Sequence, residues 1–280
     1  MNIPMKFLLT ILLVFSINCF GSILLYEVED KEGKKHFIFG TFHTDDNRVT
    51  NLDPITIQSI QQASLFLMET EELNDVSILH LTDFDAFDYL DEKKQDEFKS
   101  LCDFHVMNCD SVRKMKPWLT AFIFDSPKPI TPFNQDNLLK RQAENFGIKV
   151  KGIETLDEHF SALDSLNINE QVNILINTLA RSEEEKENNF EQIMKVYLLG
   201  DLEQIRLVDQ QVSSGLMNKN VWQKVKQKLL IERNDLFNER IKSFMRNERL
   251  FIAIGASHLS GENGLLNFLK KMEFKVDRVE

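Results

Sequence analysis

The chain has 280 residues, 42% hydrophobic and 28% charged, and carries a net charge of −11. That length and balance permit one sizeable buried core or two modest ones and exclude a disordered chain. The acidic surplus argues against nucleic acid as a partner, although a local field can oppose the net charge.

The chain opens with Lys6 before an apolar run from Phe7 to Phe15, then small or polar residues with Cys19 and Gly21 at signal-peptidase spacing. Cleavage after Gly21 is expected, giving a signal peptide over 1–21 and a domain over 22–280 that is periplasmic or secreted. Lipidation at Cys19 and an uncleaved anchor are the alternatives. Asn18 makes a poor lipobox, and the run is short of the ~20 residues of a membrane span. No other stretch approaches that length, so no span is expected in the mature chain, whose net charge without Lys6 is −12.

Ser22 to Val28 and Lys35 to Phe39 read as strands joined by a polar turn, a hairpin signal. The second runs into Gly40-Thr41-Phe42-His43. Pro54 opens an amphipathic helix to Ala63, and Ser64 to Met68 is a short buried strand ending on Glu69. Residues 71–130 are irregular, Phe-rich and acidic, and are expected to form short helices as an insertion or cap.

Asn134 to Phe146 is a helix ended by Gly147, followed by a strand from Ile148 to Ile153 that ends on Glu154. Glu170 to Leu199 supports two helices around the charge run Arg181 to Glu187, most simply a solvated helix start. A short helix, Asp201 to Gln211, and a long one, Val221 to Arg246, precede the strand Leu250 to Ile254. That strand feeds Gly255-Ala256-Ser257-His258, and a helix, Glu262 to Met272, and a strand, Lys275 to Val279, close the chain. Helices between most strands predict an α/β fold: a mainly parallel sheet flanked by helices, with a helical insertion or cap.

Beyond the leader, Cys102 and Cys109 are close in sequence and in an oxidising compartment. A local disulfide is the expectation. A zinc site would need more ligands than His105 between them.

The unit strand-Gly-x-x-His occurs at Phe37–His43 and again at Phe251–His258. Glycine permits a sharp turn or a close approach, and histidine stands beyond the strand's carboxyl end. Ligands bind at that edge in open parallel sheets, and Glu69 and Glu154 end their own strands in the same way. Two imidazoles and two carboxylates suit a divalent cation such as zinc, manganese or cobalt. His43, His258 and one glutamate are the candidate ligands, and the other glutamate is the candidate general base.

Taken singly, each histidine is more simply a hydrogen-bonded structural residue; the paired motif raises both above that. His36 is expected to face solvent on its strand, His80 and His105 lie in the irregular region, and His159 follows Glu154 by about a helical turn. Arg233 could bond a carboxylate or a substrate carbonyl, or form a surface ion pair. Gly261-Glu262-Asn263-Gly264 could present N–H groups to an anion, but is more simply a capped turn. P-loop, dinucleotide and Gly-x-Ser-x-Gly motifs are lacking, which argues against nucleotide use and serine-hydrolase chemistry.

Phe39–His43, Lys116-Pro117-Trp118, Lys151-Gly152-Ile153-Glu154-Thr155, Glu232-Arg233-Asn234 and Ala253–Leu259 with Gly261 and Gly264 together resemble the TraB/GumN family across nearly the whole mature chain. The resemblance implies kinship with Tiki-type membrane metalloproteases, and more distantly with erythromycin esterases and haem-binding ChaN-like proteins. The Tiki pattern maps its catalytic core onto His43, His258 and Glu69, with Glu154 and Arg233 at further family positions. His159 stands where many relatives carry glutamine. The leading expectation is a metal-dependent hydrolase acting on a peptide or small-molecule substrate. Its alternatives are a metal-independent histidine hydrolase, and a non-catalytic ligand-binding, haem-binding or regulatory protein.

Overall fold

The computed structural model describes residues 23–70 and 73–279. The leader expected over 1–21, with Cys19, lies outside them. Six strands form one sheet: β1 (Leu25–Glu29), β2 (Lys35–Thr41), β3 (Leu65–Thr70), β4 (Lys149–Glu154), β5 (Leu250–Gly255) and β6 (Lys275–Arg278), in the order β4-β3-β5-β2-β1-β6. The four strands β4, β3, β5 and β2 pair in parallel, whereas β1 pairs antiparallel with both β2 and β6. The fold is therefore mixed α/β with a mostly parallel sheet, as the alternation of strands and helices predicts.

Side-chain alternation explains why helices cover both faces. Leu65 and Leu67 of β3 join Ile252 and Ile254 of β5 on one face, under Phe237 and Ile241 of the helix Arg233–Met245. Phe66 points the other way and stacks on Phe251 with ring centroids 5.4 Å apart. Ile60 of the helix Pro54–Gln61 and Leu139 of the helix Gln135–Asn145 cover that second face. Gly147, at φ +71°, ends the latter helix as expected.

His36 corrects a sequence expectation. It is fully buried, because β2 lies inside the sheet with neighbours on both sides and helices on both faces. Its Nδ1 accepts the Leu250 N–H at 3.2 Å.

The described part of the expected insertion, 73–130, is largely helical, including Glu92–Phe104 and Pro117–Asp125. Its apolar residues do not pack alone. Phe98, Trp118 and Phe124 share a core with Phe160, Leu175 and Val221, so the helical layer also draws on chain well beyond residue 130. Lys116 Nζ and Trp118 Nε1 both donate to Asp164, at 2.6 and 2.9 Å, and tie the two stretches together.

Cys102 and Cys109 are free thiols, not the expected disulfide. They are in hydrogen-bond contact, and burial, followed by that contact, pushes the Cys102 thiol up. No helix among the described residues is long and apolar enough to cross a membrane.

Candidate functional site

The carboxyl ends of β2, β3, β4 and β5 lie along one edge of the sheet, with Thr41 beside Gly255 and Thr70 beside Glu154. The two Gly-x-x-His turns leave this edge side by side. Neither glycine there has a positive φ. What each supplies is the close approach: a Cβ on Gly40 would stand 2.8 Å from Leu259 Cδ1. One on Gly255 would stand 3.0 Å from Glu69 Oε1, 3.2 Å from His43 Nε2 and 3.7 Å from His258 Cδ2. Both histidines and Glu69 therefore surround a single glycine.

Each imidazole is held through Nδ1. His43 Nδ1 donates to Asp136 Oδ2 at 2.8 Å, and His258 Nδ1 donates to Asn234 Oδ1 at 2.6 Å. Both Nε2 atoms face the site, that of His43 3.6 Å from Glu69 Oε1 and that of His258 3.3 Å from Arg233 Nη1, and an oxygen on Nδ1 is what orients a metal-binding histidine. The Asp136 carboxylate, opposed by burial and helped by Glu69, raises His43 well above its ordinary value. Burial, reinforced by the Arg233 charge, pushes His258 down to about 3.

Glu69 shares its face of β3 with Leu65 and Leu67, and so points toward the helix that begins at Arg233. Its Oε1 accepts the Gly255 N–H at 2.6 Å and lies 3.6 Å from His43 Nε2. Its Oε2 accepts from Arg233 Nη2 at 2.7 Å. Burial opposes the charge on Glu69, but Arg233 and the histidines hold its carboxyl well below the usual carboxylate range.

Arg233 is the hub of the site. Besides Glu69 it donates to Glu154 Oε1 at 2.6 Å through Nη2 and at 3.0 Å through Nε, and it reaches His258 Nε2 at 3.3 Å and His159 Nδ1 at 3.0 Å. The expected long helix brings it there with one irregularity. Helix Lys219–Lys226 passes through a π-helical stretch, Gln227–Glu232, directly into Arg233–Met245. A π turn carries more residues per turn than an α turn, and so resets which residues after it face the sheet. Arg233 and Asn234 are the first two residues beyond it.

The Glu154 side chain is completely buried. It anchors Arg233 and His159, the latter through Nδ1 at 2.8 Å. Glu69, Glu154 and His159 offer atoms all within 4.8 Å of one another, close enough to hold a metal ion. Arg233 contacts all three of these residues.

The site opens into a cavity of about 530 Å³. It is lined by His43, Glu69, Arg233 and His258 together with the apolar Phe122, Met217, Trp222, Leu229 and Leu230. Among curated proteins none matches the chain. A profile of the TraB/PrgY/gumN family, however, aligns with residues 24–278, a span that contains every residue of this site. The chain belongs to the TraB/PrgY/gumN family.

All five residues singled out in this TraB/PrgY/gumN chain (His43, Glu69, Glu154, Arg233 and His258) meet at one edge of the sheet. Sequence reasoning gave no role to Asp136, Asn234 or Asp209. Asp136 is one acid in the polar start of a helix and offers no signal of its own. Asn234 adjoins Arg233 in the Glu232-Arg233-Asn234 phrase, where an orienting role could have been sought. Asp209 accepts from Ser257 Oγ at 2.6 Å, and burial raises its carboxyl. The turn Gly261–Gly264 bonds to itself, Gly264 N–H donating to the Gly261 carbonyl at 3.2 Å, as a capped turn does.

Proposed function

We propose that this protein is a hydrolase of a peptide or a similar acyl bond, using a divalent cation (zinc, manganese or cobalt) that His43, Glu69 and His258 would hold. The observation that carries this reading is the cradle around Gly255, where a Cβ would crowd Glu69 Oε1 and His43 Nε2 at 3.0 and 3.2 Å. His43 Nε2 and Glu69 Oε1 stand 3.6 Å apart, the spacing of two ligands that each lie about 2.0–2.2 Å from a shared ion, and the His258 ring packs against the same glycine. Such an ion, when bound, supplies Lewis acidity for a carbonyl and lowers the pKa of water.

The chain's own residues do the rest. Asp136 and Asn234 fix the tautomers of the two histidines. Glu69 divides its oxygens, Oε1 toward His43 and Oε2 toward Arg233. Glu154 holds Arg233 in place, so that a fixed positive charge stands beside the site, where negative charge develops on the substrate oxygen during acyl transfer. The apolar wall around Trp222 and Leu230 excludes water and receives an apolar side chain. The leader read in the first 21 residues supports action outside the cytoplasm.

One observation favours a second reading, without metal: Arg233 already supplies a cation to Glu69, Glu154 and His159. There His43, its affinity for a proton raised by Asp136, serves as general acid.

Metal content and hydrolysis of a peptide library separate the two, measured on the purified mature chain and on His258→Ala. Stoichiometric metal in the wild type alone, with turnover that chelation stops and re-addition restores, supports the first. Turnover that survives exhaustive chelation sinks it in favour of the second.

A further inference from the structure

A second cavity, of about 590 Å³, adjoins the first at His43. It shares Phe42, His43, Phe122, Asn134, Asn137 and Asp209 with the first, so the two are arms of one cleft with His43 at the waist. The first arm holds Glu69, Arg233 and His258. The distal arm is lined instead by His105, Asp125, Lys186 and Asn189.

The charges of the distal arm are unequally matched. Asp125 accepts from Arg181 Nη1 at 2.7 and 3.0 Å, Asp45 accepts the N–H groups of Ile130 and Thr131, and Asp209 accepts from Ser257. Each acid is thus committed. The Lys186 side chain is 5% exposed, yet among the described residues its ammonium has one partner, Glu183 at 3.2 Å, itself 59% exposed to solvent. An ammonium offers three donors, and a buried one is costly unless its donors are met. His105, also buried, lines the same arm, and its Nε2 has no hydrogen-bond partner among the described residues. Burial, then the Lys186 charge, pushes the His105 imidazole down, so it stands neutral in the arm it shares with that ammonium.

We infer that the distal arm is a binding subsite for a carboxylate of an extended substrate, with the Lys186 ammonium as its cationic contact and His105 beside it. This rests on the hydrolase reading only in that the carboxylate belongs to the molecule being cut. A peptide with an aspartate or glutamate a few residues from the bond at the waist has the required chemistry. Its backbone crosses His43, its apolar side chain fills the Trp222 arm, and its acid enters the Lys186 arm. Both cavities lie within the 300–1,000 Å³ range of ligand pockets, so the joined cleft suits an extended chain better than one small molecule.

The test uses labelled hexapeptides in matched pairs that differ by Asp against Asn at one position. Binding to the full mature chain is read by fluorescence anisotropy under a chelator, so that turnover plays no part. The wild type is expected to bind the best Asp peptide about tenfold tighter than its Asn partner, the scale of one charge-assisted contact. Lys186→Met loses that preference, Lys186→Arg keeps it, and circular dichroism melts confirm that all three chains fold. An undiminished preference in Lys186→Met, or no preference in the wild type, overturns the subsite. A Lys186-dependent preference with no cleavage under any metal leaves the subsite standing and removes the hydrolase reading. Cleavage indifferent to the acid does the reverse, and no binding of any peptide removes both.

Discussion

Gly255 donates its backbone N–H to Glu69 at 2.6 Å, and by lacking a side chain leaves space for His43 on the other side of the same carboxylate oxygen. At φ −52° and ψ 133° its backbone accommodates alanine without strain. Gly255→Ala therefore tests the cradle rather than the turn. The added methyl crowds Glu69 Oε1 and His43 Nε2, and overpacking of this kind costs about 1–3 kcal/mol. The chain is expected to fold with a modestly lower melting temperature and to lose metal affinity by ten- to a hundredfold, the scale on which supporting-shell changes act. Titration calorimetry of zinc and manganese into both chains reads it. Unaltered affinity would show that no ion sits beside Gly255.

Arg233→Met removes the cation shared by Glu69 and Glu154, both buried. Breaking a buried ion pair by deleting one partner costs about 3–5 kcal/mol, because the remaining charge loses its compensation. Urea denaturation at pH 7 should show that loss. Glu69, whose carboxyl burial opposes and Arg233 holds low, also regains a proton more readily without Arg233, so the deficit relative to wild type should shrink as pH falls toward 5. A deficit that is small at pH 7, or constant with pH, would contradict the role of Arg233 as hub.

Much of this arrangement was legible in the sequence because strand ends are local features. Apolar runs closed by Gly40, Glu69, Glu154 and Gly255 mark where backbone leaves the core, and parallel pairing carries all four to one edge. What the sequence hid depends on neighbours it does not name. Alternation along β2 placed His36 in solvent, but alternation predicts exposure only where one face of the sheet is open, and helices cover both faces here. The π turn that aims Arg233 has no signature in an otherwise regular helical pattern. Asp136 reaches His43 across 93 residues of chain, a distance at which one acid among many cannot be singled out.

His36 gives the acid limb of stability a source remote from the site. Burial pushes its imidazole down to about 4, whereas an exposed histidine titrates near 6.5. Between those values the unfolded chain binds the extra proton and the folded chain does not, so stability rises with pH there. It is fully present above about pH 6.5 and is lost as pH falls toward 4. His36→Asn can still accept the Leu250 N–H but does not titrate. The difference in unfolding free energy between wild type and variant should therefore narrow by on the order of 2 kcal/mol from pH 7 to pH 4.5. Other acid-sensitive groups are common to both chains and cancel. Parallel pH profiles would mean that His36 is protonated in the folded protein.

Tyr197, on the helix Glu183–Leu199, links the helical layer to the first Gly-x-x-His turn. Its hydroxyl donates to the Gly40 carbonyl at 2.7 Å and lies 3.1 Å from Gln135 Oε1, which in turn accepts the Phe42 N–H at 2.8 Å. Burial pushes the phenol up, so it stays a donor at any working pH. Tyr197→Phe keeps the ring contact with Phe42, at 5.5 Å, and removes only the hydroxyl. The Gly40 carbonyl then loses its side-chain donor in a buried setting, at a cost of about 1–3 kcal/mol. If this network fixes the exit of β2, the Phe42 amide should exchange faster with solvent in the variant, and turnover should fall with KM little changed, because His43 is displaced while the substrate arms are not. A destabilised chain with an unchanged Phe42 exchange rate would confine Tyr197 to helix packing and leave the position of His43 to Asp136 alone.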